Sequence, residues 1–120
     1  MADAQRLICE SAALTDGGRG VRFMVDAHGA MAPAFVVRYD GRVRAYLNRC
    51  AHIPIELDWL EGEFFDKLGV YLICSTHGAT YEPATGYCII GPCKGRHLSA
   101  LKVVEHGGNV YLMGSGDYDG

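Results

Sequence analysis

The chain has 120 residues, enough for one domain with a modest core, and carries 49% apolar residues and 16 glycines. Its formal charge of −3 lends no support to nucleic-acid binding, and no run of 18 apolar residues exists to cross a membrane as a helix. Five cysteines, an odd number, argue for a reducing cytoplasm rather than a disulfide framework, and Met1-Ala2-Asp3-Ala4-Gln5-Arg6 lacks the basic and apolar regions of a secretion signal.

Period-2 alternation dominates the chain, with many short strands joined by glycine-bearing turns. Arg6 to Glu10 reads as a first strand that enters a polar connection around Thr15-Asp16-Gly17-Gly18. Val21, Phe23 and Val25 alternate with Arg22 and Met24 in a second strand, and Asp26 to Pro33 reads as a loop. Phe35, Val37 and Tyr39 alternate with Val36 and Arg38, and Asp40-Gly41 is a strong hairpin signal. Val43, Ala45 and Leu47 then face inward on the returning strand, which ends at Asn48-Arg49 and delivers Cys50. Val70 to Ile73 is a short apolar strand running into Cys74. Ala79 to Glu82 and Tyr87 to Ile90 flank Pro83-Ala84-Thr85-Gly86 as a hairpin, and Leu101 to Glu105 and Asn109 to Leu112 flank His106-Gly107-Gly108 as another. The Gly- and Asp-rich tail from Gly114 to Gly120 is expected to be loose. No segment keeps a helical period over ten residues, so an all-β, antiparallel sandwich is expected over residues 1–120 as a single domain.

The chemistry lies between Cys50 and Pro92. Cys50-Ala51-His52 and Cys74-Ser75-Thr76-His77 are separated by a 21-residue spacer, Ile53 to Ile73. Two thiolates and two imidazoles suit either a tetrahedral structural zinc or a [2Fe–2S] cluster in which two His replace two Cys on one iron. Zinc modules commonly pair like ligands, as Cys-x2–4-Cys and His-x3–5-His. Here each loop supplies one Cys and one His, so each loop can reach both irons of a two-iron cluster, and the pattern favours iron.

This arrangement resembles the Rieske family, and the likeness continues through His77-Gly78, Tyr81, Thr85-Gly86 and Gly91-Pro92. The resemblance implies a Rieske-type β-sandwich with a cluster-binding part near residues 49–92 at one end. It also implies that Cys50 and Cys74 hold one iron and His52 and His77 the other. Tyr81 would donate a hydrogen bond to the cluster, and Gly91-Pro92 would cover it and limit water access. Cys88, Cys93 and Cys9 remain outside the ligand set and read as small buried hydrophobes. The function implied is a ferredoxin that carries one electron from a flavin-containing reductase to an acceptor such as a terminal oxygenase, with no substrate chemistry of its own. The alternative is a small subunit or detached domain of a larger oxygenase or nitrite reductase.

The chain also departs from the family. Rieske proteins of the respiratory complexes have an extra Cys in each loop, and the matching positions here are Ile55 and Thr76, so that disulfide is absent. The first loop runs His52-Ile53-Pro54 where the family has His-x-Gly, and Pro54 removes a backbone N–H. The spacer is longer than usual. Trp59, Phe64 and Phe65 are expected to fill a satellite core beneath it, and Glu61, Glu63 and Asp66 fit either a solvated loop or an acidic docking surface for a basic partner.

Overall fold

The structure, a computed structural model, describes residues 5–27, 29–51, 55–58, 60–76, 78–113 and 118–119. Eleven strands are present among them: β1 (Gln5–Glu10), β2 (Val21–Ala27), β3 (Ala30–Tyr39), β4 (Arg42–Leu47), β5 (Leu72–Ile73), β6 (Thr80–Tyr81), β7 (Cys88–Ile90), β8 (Ala100–Leu101), β9 (Val103–His106), β10 (Asn109–Met113) and β11 (Tyr118–Asp119). The described helical structure is a single 3-10 turn, Ser11–Ala13. All the strand pairings are antiparallel and form three sheets: β1-β10-β9, β11-β8-β4-β3-β2 and β5-β6-β7.

The first two sheets form the sandwich. Val25, Ala34, Val36, Ala45 and Leu47 from the five-stranded sheet meet Val110 and Leu112 from the three-stranded one. Arg38 on β3 ties the sheets at their edge. Its guanidinium donates to both carboxylate oxygens of Glu105 on β9, at 3.0 and 2.6 Å, and to the Leu14 carbonyl at 3.1 Å. The guanidinium holds the Glu105 carboxyl down at about 2.

The opposite face of the same sheet is also covered. Phe35, Val37 and Tyr46 belong to a second core with Leu57, Phe64, Leu72, Tyr81 and Leu98. Successive strand side chains point to opposite faces, so β3 feeds two cores and residues Ala34, Phe35, Val36 and Val37 are all fully buried. The third sheet and its loops sit on this second face.

The Asp40-Gly41 turn is as expected, with both residues at positive φ (54° and 75°), the geometry a two-residue hairpin requires. Two expectations are corrected. Asp26 to Pro33 is not a loop: β2 and β3 continue through it as a hairpin, with Val25 opposite Ala32 and Asp26 opposite Met31. The Gly29 N–H donates to Asp26 Oδ1 at 2.8 Å and closes the turn. Pro33 is tolerated because its backbone edge faces the β4 side, where the ladder has already ended and Asn48 N–H reaches the Pro33 carbonyl at 2.9 Å. The tail is not loose throughout, since Tyr118 and Asp119 pair with Leu101 and Ala100.

The spacer folds onto the second core rather than under a satellite one. Phe64 is fully buried and stacks on Phe35, with ring centroids 4.0 Å apart, while Phe65 is half-buried and stacks on Tyr39. Trp59 lies outside the described residues. Gly20 explains how the spacer gets so close: its N–H donates to the Gly62 carbonyl at 2.8 Å, and a Cβ there would lie 2.8 Å from Phe64 and from the Val36 carbonyl.

Candidate metal centre

Two loops carry the predicted ligands, and both fold back in the same way. Cys50 follows β4, and its N–H donates to the Ile55 carbonyl at 2.7 Å. Cys74 follows β5, and its N–H donates to the Ala79 carbonyl at 2.8 Å. In each case the chain returns to its cysteine five residues later. Gly78 takes φ 72° in the second loop, a left-handed turn that other residues resist. The loops are joined where Ser75 N–H donates to the Leu57 carbonyl at 3.0 Å. His52 and His77, the predicted imidazole ligands, lie outside the described residues.

Tyr81 brings the site together. It is fully buried on β6, with its Oη 3.1 Å from Cys50 Sγ and accepting the Ala51 N–H at 2.9 Å. With one lone pair engaged by that amide, the phenolic proton is available to the sulfur. Burial, and then the hydrogen bond to Cys50, push the phenol above its ordinary value, and the charge of Cys74 acts in the same direction. The phenol is therefore a fixed neutral donor within reach of the Cys50 sulfur. Cys50 and Cys74 are themselves buried in the second core.

A third segment packs against both loops. Gly91 takes φ 111° and approaches so tightly that a Cβ would lie 3.1 Å from Ala79 Cα in the second loop. Lys94 N–H donates to the Gly91 carbonyl at 3.2 Å and Arg96 N–H to the Cys93 carbonyl at 2.8 Å, which curls residues 91–96 into a compact turn. Pro92 is exposed on it. Arg96 reaches across to the first loop, donating to the Ala51 carbonyl at 3.4 Å.

Sequence reasoning missed two features here. Cys88 and Cys93 are buried, as expected, but they are bonded to each other, with Cα atoms 5.9 Å apart. The Gly91-Pro92 turn returns the chain to within disulfide range over five residues, so Cys-x4-Cys across a Gly-Pro turn was the readable signal. Cys93 Sγ also lies 3.4 Å from Tyr81 Oη. The second feature is a buried polar network beneath the first loop. Asn48 donates to Asp58 Oδ1 at 2.9 Å and accepts the Leu57 N–H at 2.9 Å, while Asp58 Oδ2 accepts the Gly62 N–H at 2.9 Å. Arg22 lies 3.6 Å from Asp58 and also pairs with Glu56. An Asx pair satisfying three backbone or amide donors fixes the spacer to the end of β4.

Of the spacer acids, Asp66 holds its own turn and Glu63 lies near a cation. Glu63 is 3.9 Å from Arg19, and Asp66 Oδ1 accepts the Val70 N–H at 3.0 Å in its own turn.

The Rieske [2Fe-2S] domain family matches residues 5–106. No curated protein matches the chain. Among solved structures, the chain is similar to one titled as the complex of reduced oxygenase and oxidised ferredoxin in carbazole 1,9a-dioxygenase. The identity is 24%, the TM-score 0.71, and the match covers 96% of this chain and 97% of that one. The Sphingomonas yanoikuyae B1 ferredoxin is 24% identical, covering 92% and 98%, with a TM-score of 0.70. The ferredoxin of carbazole 1,9a-dioxygenase from Nocardioides aromaticivorans IC177 is 22% identical, covering 95% and 99%, with a TM-score of 0.68. With the family match spanning most of the chain and the two folded-back cysteine loops in place, the protein belongs to the Rieske [2Fe-2S] domain family.

Proposed function

We propose that the chain is a one-electron carrier of the ferredoxin type. In this reading it accepts electrons from a flavin-containing reductase and passes them to an acceptor protein such as a terminal oxygenase. It holds one [2Fe–2S] cluster through Cys50, Cys74, His52 and His77, and we assign it no substrate chemistry of its own. The cytoplasm, which keeps Cys50 and Cys74 reduced until they bind iron, is the expected location, and the Cys88–Cys93 bond is an exception to that compartment's thiol chemistry. Support for reading residues 1–120 as one domain comes from β3 and β4, which give side chains to both cores.

The observation that carries the reading is the pair of like-folded loops whose two cysteines are buried in one core with a phenol that reaches Cys50 Sγ. This donor set fits the family's group: anionic sulfur ligands in an apolar pocket, with a neutral donor aimed at one of them. When bound, the cluster supplies a one-electron couple. The chain's residues supply the rest. Cys50 and Cys74 would anchor it, Tyr81 would stabilise added negative charge by donating to Cys50 Sγ, and residues 91–96 would limit water. The match over nearly the whole of the ferredoxin chains supports a separate carrier.

Purified protein should be red-brown and hold about two irons and two acid-labile sulfides per chain. On reduction it should give the EPR signal of a mixed His/Cys-ligated cluster. One zinc per chain and no visible absorption, from iron-replete cells, would overturn the reading.

A further inference from the structure

Charge is distributed unevenly around the site. The three segments that build it, 49–55, 74–81 and 88–98, contain Arg49, Lys94 and Arg96, and all fourteen Asp and Glu of the chain lie outside them. The three cations are exposed. Arg22 pairs with Glu56 and Asp58, Arg38 with Glu105, and Arg19 lies 3.9 Å from Glu63. Among the described residues, Arg49, Lys94 and Arg96 carry no ion pair, which is also true of Arg6, Arg42, Arg44, Lys67 and Lys102; what sets the three apart is that no carboxylate shares their segments. Their placement is fixed: Arg49 precedes Cys50, Lys94 caps the covering turn, and Arg96 is held on the Ala51 carbonyl at 3.4 Å. Ile90, 59% exposed, and the exposed Pro92 lie on the same segment as Lys94 and Arg96 and add apolar surface to it.

We propose that this end of the protein docks an acidic face of its electron-transfer partner. Arg49, Lys94 and Arg96 form a cationic rim around an Ile90–Pro92 centre. The inference rests on the electron-carrier reading and favours a solvated role for the spacer's carboxylates over an acidic docking surface.

Local charge decides the matter because screening is short-ranged. At 0.1 M salt the Debye length is about 10 Å, whereas the molecule measures 41 × 31 × 22 Å. Carboxylates on the far side are therefore damped at this end; of the nearer ones, Glu56 pairs with Arg22 and Glu63 lies 3.9 Å from Arg19, which leaves Glu82, next to Tyr81, as the acid opposing the three cations. An apolar centre with a charged rim is the usual plan of a small interface, and redox encounters sit below about 1,200 Å². Complementary charge there chiefly raises the association rate, which suits a carrier that must bind, react and leave. Three cations on a chain of net charge −3 make a poor nucleic-acid site.

The test needs no known partner. Reduced protein gives one electron to hexacyanoferrate(III), forming hexacyanoferrate(II), or to tris(phenanthroline)cobalt(III), forming the cobalt(II) complex. By stopped flow, between roughly 0.05 and 0.3 M salt, the rate with the anionic oxidant should fall several-fold and that with the cationic one should rise. The triple variant Arg49→Gln, Lys94→Gln, Arg96→Gln should lose or invert both trends. A charge-matched control, Arg42→Gln, Lys67→Gln, Lys102→Gln, should keep them. A second readout is independent of electron transfer: fluorescein-labelled oligoglutamate should bind the wild type and the control more tightly than the site variant. A rate with hexacyanoferrate(III) that rises with salt, as net charge alone demands, would overturn the proposal, as would equal oligoglutamate binding by all three proteins. Salt-sensitive pelleting with phosphatidylserine vesicles at physiological salt, lost in the site variant, would assign the rim to a membrane surface instead. A colourless preparation would defeat the electron-carrier reading, whereas the oligoglutamate result would still decide the sign of the surface.

Discussion

The two faces of the β3–β4 hairpin are held by different means. On the sandwich face, small aliphatics (Ala34, Val36, Ala45, Leu47) pack under strands of up to ten residues, so the ladders and the core reinforce each other. On the site face, aromatics and cysteines pack under strands of two or three residues, and the chain is held by loop hydrogen bonds, the Asn48–Asp58 network and a disulfide. The sandwich half is organised by regular pairing. The site half is organised by particular side chains, and by whatever its cysteines hold.

The strongest way to sharpen that contrast is Cys74→Ser. Visible absorption should be lost, and hydrogen exchange should speed up across residues 72–81 while residues 21–47 keep their protection. Equal loss in both regions would mean a single cooperative unit and erase the distinction. Phe64→Ala removes the ring stacked on Phe35 and should cost about 3–5 kcal/mol in urea denaturation, with poorer cluster retention. Val36→Ala, on the opposite face, should cost less and leave the spectrum unchanged. Replacing both Cys88 and Cys93 by Ala should cost about 2 kcal/mol from the short loop it opens and raise exchange at residues 94–96 without loss of iron. Alkylation of the denatured, unreduced protein should then find three reactive thiols in the wild type, against five in protein reduced first.

Tyr81→Phe removes the donor to Cys50 and should lower the midpoint potential. A lost charge-assisted bond of about 1.5–3 kcal/mol corresponds to about 65–130 mV for one electron, an upper bound because solvent compensates in part. An unchanged midpoint in protein-film voltammetry would leave Tyr81 a packing residue. The smallest effect belongs to the sandwich face. Glu105, held at about 2 in the folded protein and near its ordinary value when unfolded, contributes stability that is complete above that ordinary value and is lost as pH falls toward 2. Both partners are partly exposed, so Glu105→Gln should cost about 1 kcal/mol near neutral pH and flatten the acid limb of the stability profile.

What could be read from the sequence follows the same divide. Asp40-Gly41 and the alternation of β4 announced the sandwich because turn chemistry and period are local. The Cys-His pairs stood out because metal chemistry restricts both residue type and spacing. Asp26 to Pro33 misled because Ala30, Ala32 and Ala34 carry little strand signal, while Gly29 and Pro33 suggest a break that pairing with β2 overrides. Tyr46, Asn48 and Asp58 were silent, since their roles come from partners distant in sequence. Their partners are the Pro83 carbonyl at 2.6 Å for Tyr46 Oη and each other for the Asx pair.

The double use of β3 bears on how such a centre could be moved or rebuilt. Phe35, Val37 and Tyr46 form the floor on which the two cysteine loops rest, yet they belong to strands whose other edge of side chains completes a different core. A segment cut from Asn48 to Leu98 would carry the loops without their floor. Any transplant of the centre into a foreign scaffold must therefore bring the hairpin from Ala30 to Leu47, in register. A slip of one residue would turn Phe35 and Val37 into the sandwich and strip the foundation from the loops.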